Sequence, residues 1–206
     1  MNFITNPSEI EKRSMEIIAP SLKGLKLTEE EIKIYSRIIH ASGDPEYAPI
    51  IKIHPDAIVA AKKAILSGCN IYSDVEMVRT GINKNRLATH GGIVECLIAD
   101  PKIAEIAKEK GITRSMTAMR HFGNKLNGSI IAIGNAPTAL FEVLNMMKET
   151  TIRPALIIGV PVGFVGASES KEHLINTSPV PYITVQGNKG GSPIAASITN
   201  AIIYMM

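Results

Sequence analysis

The feature that most constrains the fold is a unit of apolar strand, glycine-rich turn and helix, which occurs three times in the second half of the chain. The predicted strands are residues 129–133, 154–159 and 181–185. Their apolar residues do not alternate with polar ones, which is typical of strands buried on both faces of a parallel sheet. Helices must then cover both faces of that sheet. We therefore predict an α/β protein of the three-layer α/β/α type, with a mostly parallel, doubly wound sheet of about five strands.

A further short strand is predicted at residues 69–73. Residues 83–100 fit no single pattern, and the apolar run 93–98 within them could form another buried strand. The best-defined helix start is Thr28, because Glu31 three residues later completes a capping box. Gly43 can adopt the left-handed conformation that ends the same helix. No linker, low-complexity tract or short-period repeat divides the sequence, so we predict that residues 1–206 form a single domain.

Composition excludes several classes of protein. The net charge is only +3 and no block of Lys and Arg occurs, so an extended nucleic-acid surface is not expected. No apolar run reaches the roughly 18 residues of a membrane span. Cys69 and Cys96 lie far apart in apolar surroundings, which predicts buried free thiols in a reducing, cytoplasmic setting. Neither the cysteines nor the five histidines have metal-ligand spacing, so no metal site is predicted.

The most reactive stretch lies at the end of the helix that begins after Thr28. Arg37 and His40 are three residues apart, so their side chains are neighbours on one helix face. A permanent cation therefore lies beside the one side chain that titrates near neutral pH. Such a pair suits an anionic substrate in which one proton must be moved. From this pair alone, an ordinary surface arginine and a helix-capping histidine fit the pattern equally well.

The glycine-rich turns after the three strands predict an anion-binding edge. Ligands of such sheets bind outside the carboxyl ends of the strands, and free N–H groups at the following helix starts attract anions. The candidate ligand-binding residues in these turns are Asn135, Gly190, Gly191 and Ser192. The spacing matches neither GxGxxG nor GxxxxGK[ST], so a standard nucleotide site is not predicted. A GxSxG nucleophile motif is also absent.

Several short motifs, in this order, together resemble the precorrin-8X methylmutases over essentially the whole chain. They are Arg13-Ser14, Arg37-Ile38-Ile39-His40-Ala41-Ser42-Gly43-Asp44, Asp74-Val75-Glu76-Met77, Thr113-Arg114-Ser115, Gly134-Asn135-Ala136-Pro137-Thr138-Ala139-Leu140, Gly159-Val160-Pro161-Val162-Gly163-Phe164-Val165, Glu169-Ser170-Lys171 and Gly190-Gly191-Ser192. The run GVPVGFVGASESK is the most specific of them.

The resemblance implies an isomerase of cobalamin biosynthesis that moves a methyl group from carbon 11 to carbon 12 of a tetrapyrrole. The product would be hydrogenobyrinate, or cobyrinate when cobalt is already inserted, and no separate cofactor would be used. The resemblance also implies a homodimer with its active site near the interface and an anionic tetrapyrrole as substrate. It assigns the catalytic histidine to His40, which we expect to act as proton donor and acceptor. Substrate binding is assigned to Ser14 and Arg37, and with them Arg13 and Arg114.

Two other functions fit parts of the pattern. A methyltransferase that uses S-adenosylmethionine would need a glycine-rich turn after its first strand, and the turn after Ser73 lacks glycine. A non-catalytic corrinoid-binding protein would bind the ring tightly, and His40 could serve as its cobalt ligand. The ring spectrum separates these possibilities, because a carrier leaves it chemically unchanged with time.

Overall fold

The computed structural model of the chain describes residues 3–206 and is built around one six-stranded sheet. The strands are β1 (Ile51–Ile53), β2 (Ile71–Ser73), β3 (Val94–Cys96), β4 (Ile130–Ile133), β5 (Leu156–Gly159) and β6 (Tyr182–Val185). Their order across the sheet is β1-β6-β5-β4-β2-β3. All neighbouring pairs are parallel except β1 and β6, which are antiparallel.

The predicted fold class is confirmed, and every residue of β4 and β5 is buried, as strands without alternation require. The sheet has one strand more than the five that the sequence suggested. The additional strand, β1, has three residues and directly follows a 3₁₀ segment, Pro45–Ile50, which contains Pro49. A run this short carries no periodicity that separates it from a loop.

Ten α-helices surround the sheet in the described part of the chain. They are α1 (Pro7–Ile18), α2 (Glu29–Ser42), α3 (Ala57–Leu66), α4 (Glu76–Gly81), α5 (Lys84–Ala88), α6 (Pro101–Lys110), α7 (Arg114–Phe122), α8 (Pro137–Glu149), α9 (Ala167–Thr177) and α10 (Ser192–Tyr204). Two further 3₁₀ segments are Ala19–Leu22 and Gly123–Leu126. The last of these follows α7, which ends at Phe122 because Gly123 adopts a positive φ of 52°.

The helices form two layers, one on each face of the sheet. Helices α2, α3, α4 and α10 pack with one set of strand residues into the larger apolar core, and α1 packs on α2. Helices α7, α8 and α9 pack on the opposite face around a second core. Ile130 and Ile158 face the first core and Ile131 and Ile157 the second, so the period of two along each strand divides its residues between the layers.

Candidate active site

Helix α2 brings the predicted catalytic stretch to the rim of the sheet. The capping box is present, since Thr28 Oγ1 accepts from Glu31 N at 3.2 Å and Glu31 Oε2 accepts from Thr28 N at 2.7 Å. Gly43 ends the helix with a φ of 65°, as predicted. His40 therefore lies in the last turn of α2 with an exposed side chain, and Arg37 is half-buried one turn earlier.

Two cavities meet at His40. One has a volume of about 320 Å³ and is formed between α2 and α10. Its lining residues are Arg37, His40, Ala41, Ser197, Asn200 and Tyr204. The other, of about 210 Å³, lies between α1 and the end of α2, and Ser14 and His40 both line it. The structure thus brings three of the predicted site residues, Ser14, Arg37 and His40, into adjoining spaces.

Arg37 is held in place by two neighbours. Its Nη2 donates to Glu11 Oε1 on α1 at 2.7 Å, and its guanidinium carbon lies 5.9 Å from the centre of the Tyr204 ring. Both side chains of the ion pair are more than a third exposed, so the pair itself adds little stability. An arriving substrate carboxylate could therefore replace Glu11 at small cost.

A third cavity, of about 360 Å³, continues past the end of α2. One wall is the loop between β6 and α10, with Lys189 and Gly190, and the other is the end of α2, with Ala41 and Ser42. Lys189 Nζ lies 2.6 Å from Asp44 Oδ2 and 2.7 Å from Glu46 Oε2. This hydrogen-bonded ion pair lowers the pKa of the Asp44 carboxyl. The two predicted glycines of this loop thus lie at the same end of α2 as His40.

The turn after β4 is already occupied by an anion from within the chain. Asp74, which follows β2 and is fully buried, accepts hydrogen bonds from the backbone N–H groups of Gly134, Asn135 and Ala136 at 3.0, 2.8 and 2.7 Å. Burial raises the pKa of the Asp74 carboxyl, and these three N–H groups counteract part of that effect. The expectation that this turn offers free N–H groups to a ligand is therefore wrong. Asn135 could contact substrate only through its exposed side chain.

Asp74 lies at the point where the strand order of the sheet reverses. The chain runs from β2 outward to β3 and then returns to the other side of β2 with β4. The carboxyl ends of β2 and β4 therefore flank the switch point, the usual ligand crevice of such sheets. Here the Asp74 carboxylate fills it. The open cavities lie instead on the side of α2 and α10, near the ends of β5 and β6.

The remaining predicted residues are not gathered around His40. Arg13 is exposed on α1 and pairs with Glu16 at 2.9 Å. Arg114 is the first residue of α7, on the opposite face of the sheet from α2. Neither lines a cavity that borders His40. The Ser192 side chain is buried at the start of α10. Roles for these residues in substrate binding stay predictions.

The sequence reading missed the wall that α10 provides. Ser197, Asn200 and Tyr204 line the cavity beside His40. They are spaced three and four residues apart in an otherwise apolar helix, which places them on one face. That spacing is the signal that could have identified them. No comparable signal marks Tyr47, whose hydroxyl contacts the backbone oxygen of Gly190 at 3.4 Å across 143 positions.

Both cysteines are free and half-buried. Burial raises the pKa of the Cys69 thiol to about 11, so it is unreactive at neutral pH. Across residues 3–206, no helix has both the length and the apolar character needed to cross a bilayer.

The groups available for chemistry at the end of α2 are an exposed imidazole, a guanidinium whose carboxylate partner can be exchanged, and the polar face of α10.

Comparison with known proteins gives one consistent family. The family model for precorrin-8X methylmutase matches residues 9–205. A cobalt-precorrin-8 methylmutase from Priestia megaterium is 45% identical, over 95% of this chain and 87% of the relative. A precorrin-8X methylmutase from Sinorhizobium sp is 39% identical, over 98% of this chain and 96% of the relative.

The structural comparison agrees. The solved structure of a precorrin-8X methyl mutase from Thermus thermophilus has a TM-score of 0.86 and 34% identity, covering 96% of this chain and 95% of that one. Since sequence and structure match over nearly the whole length, the chain belongs to the precorrin-8X methylmutase family, whose members are isomerases of cobalamin biosynthesis.

Proposed function

We propose that this chain moves a methyl group from carbon 11 to carbon 12 of precorrin-8X or cobalt-precorrin-8, giving hydrogenobyrinate or cobyrinate. The observation that carries the proposal is the position of His40, which borders two cavities and shares one of them with Arg37. An exposed imidazole beside a guanidinium supports proton transfer to a bound polyanion, because the substrate carboxylates can be held by the cation.

His40 is proposed to be both proton donor and proton acceptor. It donates a proton to a ring nitrogen or to an adjacent carbon, which makes the conjugated ring electron-poor. The methyl group then migrates and the proton returns to the imidazole, so the reaction is balanced without any other reactant. Acid–base catalysis of this kind contributes about 10²–10⁴-fold. The remaining acceleration must come from holding the ring in a reactive geometry.

The substrate carboxylates are proposed to bind Arg37 and Ser14, which adjoin His40 in the two cavities. We propose that no separate cofactor takes part and that cobalt, where present, belongs to the substrate. A cytoplasmic location is supported by the two free cysteines. The relatives named above are called cobalt-precorrin-8 methylmutase and precorrin-8X methylmutase, so similarity does not choose between the two substrates.

One assay that offers metal-free and cobalt-loaded substrate in parallel tests this function. We expect each enzyme molecule to convert many equivalents of one of the two substrates. The change in the absorbance spectrum of the ring measures this conversion. Prior dialysis against EDTA should leave the rate with that substrate unchanged. A non-catalytic corrinoid-binding protein would bind the ring and leave its spectrum constant with time, and this result would contradict the proposal.

Replacing Arg37 by Ala is expected to raise KM about tenfold or more and to lower kcat as well, because a charge-assisted contact to a carboxylate is lost. Steady-state kinetics on the preferred substrate measure both constants. Glu11→Gln releases Arg37 from its ion pair, and it should leave KM unchanged or lower it. Arg79→Ala, on α4, serves as the remote control. An unchanged KM for Arg37→Ala would remove this residue from the binding site.

The proposed homodimer has a candidate contact surface in the loop between β5 and α9. Phe164 and Val165 are 91% and 90% exposed there, and exposed apolar clusters of this kind mark contact surfaces. Val162 of the same loop lines the cavity that also contains Gly190, which fits an active site near the interface.

Sedimentation measurements test the assembly. The wild type should have twice the monomer mass, whereas the double variant Phe164→Ser with Val165→Ser should dissociate at micromolar concentration. Val59→Ser, which removes an exposed apolar side chain on α3, should leave the mass unchanged. A monomeric wild type would contradict the homodimer, and a variant that stays dimeric would exclude this loop as the contact.

A further inference from the structure

Lys171, on α9, is fully buried, and the reaction proposed above does not use it. A buried ammonium is costly unless it is paired or hydrogen-bonded. Within residues 3–206, no carboxylate forms an ion pair with Lys171, and burial lowers its pKa to about 8. A neutral apolar side chain would fill the same space at lower cost, so the lysine calls for a specific explanation.

Its polar contact is with the loop between β6 and α10. Lys171 Nζ donates to the backbone oxygen of Lys189 at 2.6 Å. The side chain of Lys189 points the other way and pairs with Asp44 and Glu46 after α2. Lys189 is thus held from two sides. Its carbonyl is bound by α9, and its ammonium is bound by the carboxylates that follow α2.

The neighbouring residues of the loop are fixed as well. Gly191 N donates to Val160 O at 2.8 Å. Gly190 has a φ of 153°, and a Cβ there would lie 2.3 Å from the same Val160 oxygen. The loop therefore packs directly on the backbone after β5 and admits no side chain at position 190. Residues 189–191 are thus each held by a backbone contact to α9 or to the segment after β5.

We propose that Lys171 is a positioning residue that holds residues 188–191 as the wall of the substrate cavity next to His40. This assignment rests on the proposed function, because it identifies the cavity lined by Gly190 and Ala41 as part of the substrate site. Lys171 acts through the Lys189 carbonyl and does not touch substrate. Its contribution is to binding, since the loop must already have its shape when the macrocycle arrives.

The test compares Lys171→Met, which keeps the length of the side chain and removes its donor, with Lys171→Gln, which retains a neutral donor. The control is Lys108→Met on the exposed surface of α6. Steady-state kinetics give KM and kcat separately, and hydrogen exchange followed by mass spectrometry reports on peptides covering residues 186–192. Thermal unfolding reports on the fold.

We expect Lys171→Met to raise KM about tenfold, the loss typical of one charge-assisted hydrogen bond, with kcat reduced less than threefold. Lys171→Gln should lie between it and the wild type. Loop amides should exchange faster in Lys171→Met, while strands β4 and β5 keep their protection. Replacing a buried charge by a well-packed apolar group is often neutral for stability, so the variant should fold.

An unchanged KM and unchanged loop exchange in Lys171→Met would overturn the assignment. The assignment would also be overturned if activity fell only in proportion to the amount of folded protein. If Lys171→Met does not fold, Lys171→Gln decides by the same two measurements. Wild type and Lys108→Met are assayed together: if neither converts the ring, the proposed function fails, whereas normal turnover with a normal KM in Lys171→Met rejects only the role of Lys171.

Discussion

Replacing His40 by Ala is expected to lower turnover about 10²–10⁴-fold, the usual contribution of a general acid–base residue. The free energy of unfolding should change by no more than about 0.5 kcal/mol, because the side chain is exposed and makes no hydrogen bond to another described residue. Substrate affinity should also persist, since Arg37 and Ser14 remain. The measurements are turnover by ring absorbance, affinity by spectral titration, and thermal unfolding.

Two further variants separate proton transfer from other contributions of this position. His40→Asn keeps a polar side chain of similar size that cannot exchange a proton, and it should be as slow as His40→Ala. His121→Ala removes an exposed histidine on α7, on the other face of the sheet, and should retain full activity. Near wild-type turnover in His40→Ala would show that the proton comes from elsewhere.

The sequence predicted those parts of the molecule that depend on local patterns. The buried strands β4 and β5 follow from uninterrupted apolar runs, and the limits of α2 follow from the Thr28–Glu31 box and Gly43. Because both ends of α2 were predicted correctly, Arg37 and His40 could be assigned to one face of this helix. Strand β1 was missed, since three residues after a proline-containing turn carry no recognisable period.

What the sequence could not supply was the pairing of distant residues. The glycine-rich turn after β4 has the composition of an anion site, and in the structure it binds an anion. That anion is the carboxylate of Asp74, which lies 60 positions earlier and reaches the turn only because β2 and β4 are neighbours. Counting backbone donors in one segment therefore cannot show whether they are free. The same limit hid the contact between Tyr47 and Gly190.

Asp74→Ala is therefore expected to be the most destabilising single change at this edge of the sheet. It leaves the buried backbone N–H groups of Gly134 and Ala136, and the half-buried N–H of Asn135, without an acceptor. Each unsatisfied buried donor costs about 1–3 kcal/mol, and partial relaxation or entry of water reduces the sum. We expect a loss of about 4 kcal/mol in the free energy of unfolding, equivalent to a fall of roughly 10 °C in Tm for a chain of this size.

The matched variants show whether the hydrogen bonds or the packing carry this effect. Asp74→Asn keeps the size and one acceptor oxygen, which can accept from Asn135 and Ala136 as Oδ2 does, but it turns an amide N–H₂ group towards the N–H of Gly134, so its loss of stability should be smaller than that of Ala. Asp56→Ala removes an aspartate that also precedes a helix, but its side chain is 78% exposed and caps no N–H, so its free energy of unfolding should be unchanged. Chemical denaturation, followed by fluorescence or circular dichroism, gives the free energy of unfolding of all three variants.

If the free energy of unfolding of Asp74→Ala lies within about 1 kcal/mol of the wild-type value, these N–H groups must find another acceptor. In that case the turn after β4 would again be a candidate for binding a substrate carboxylate.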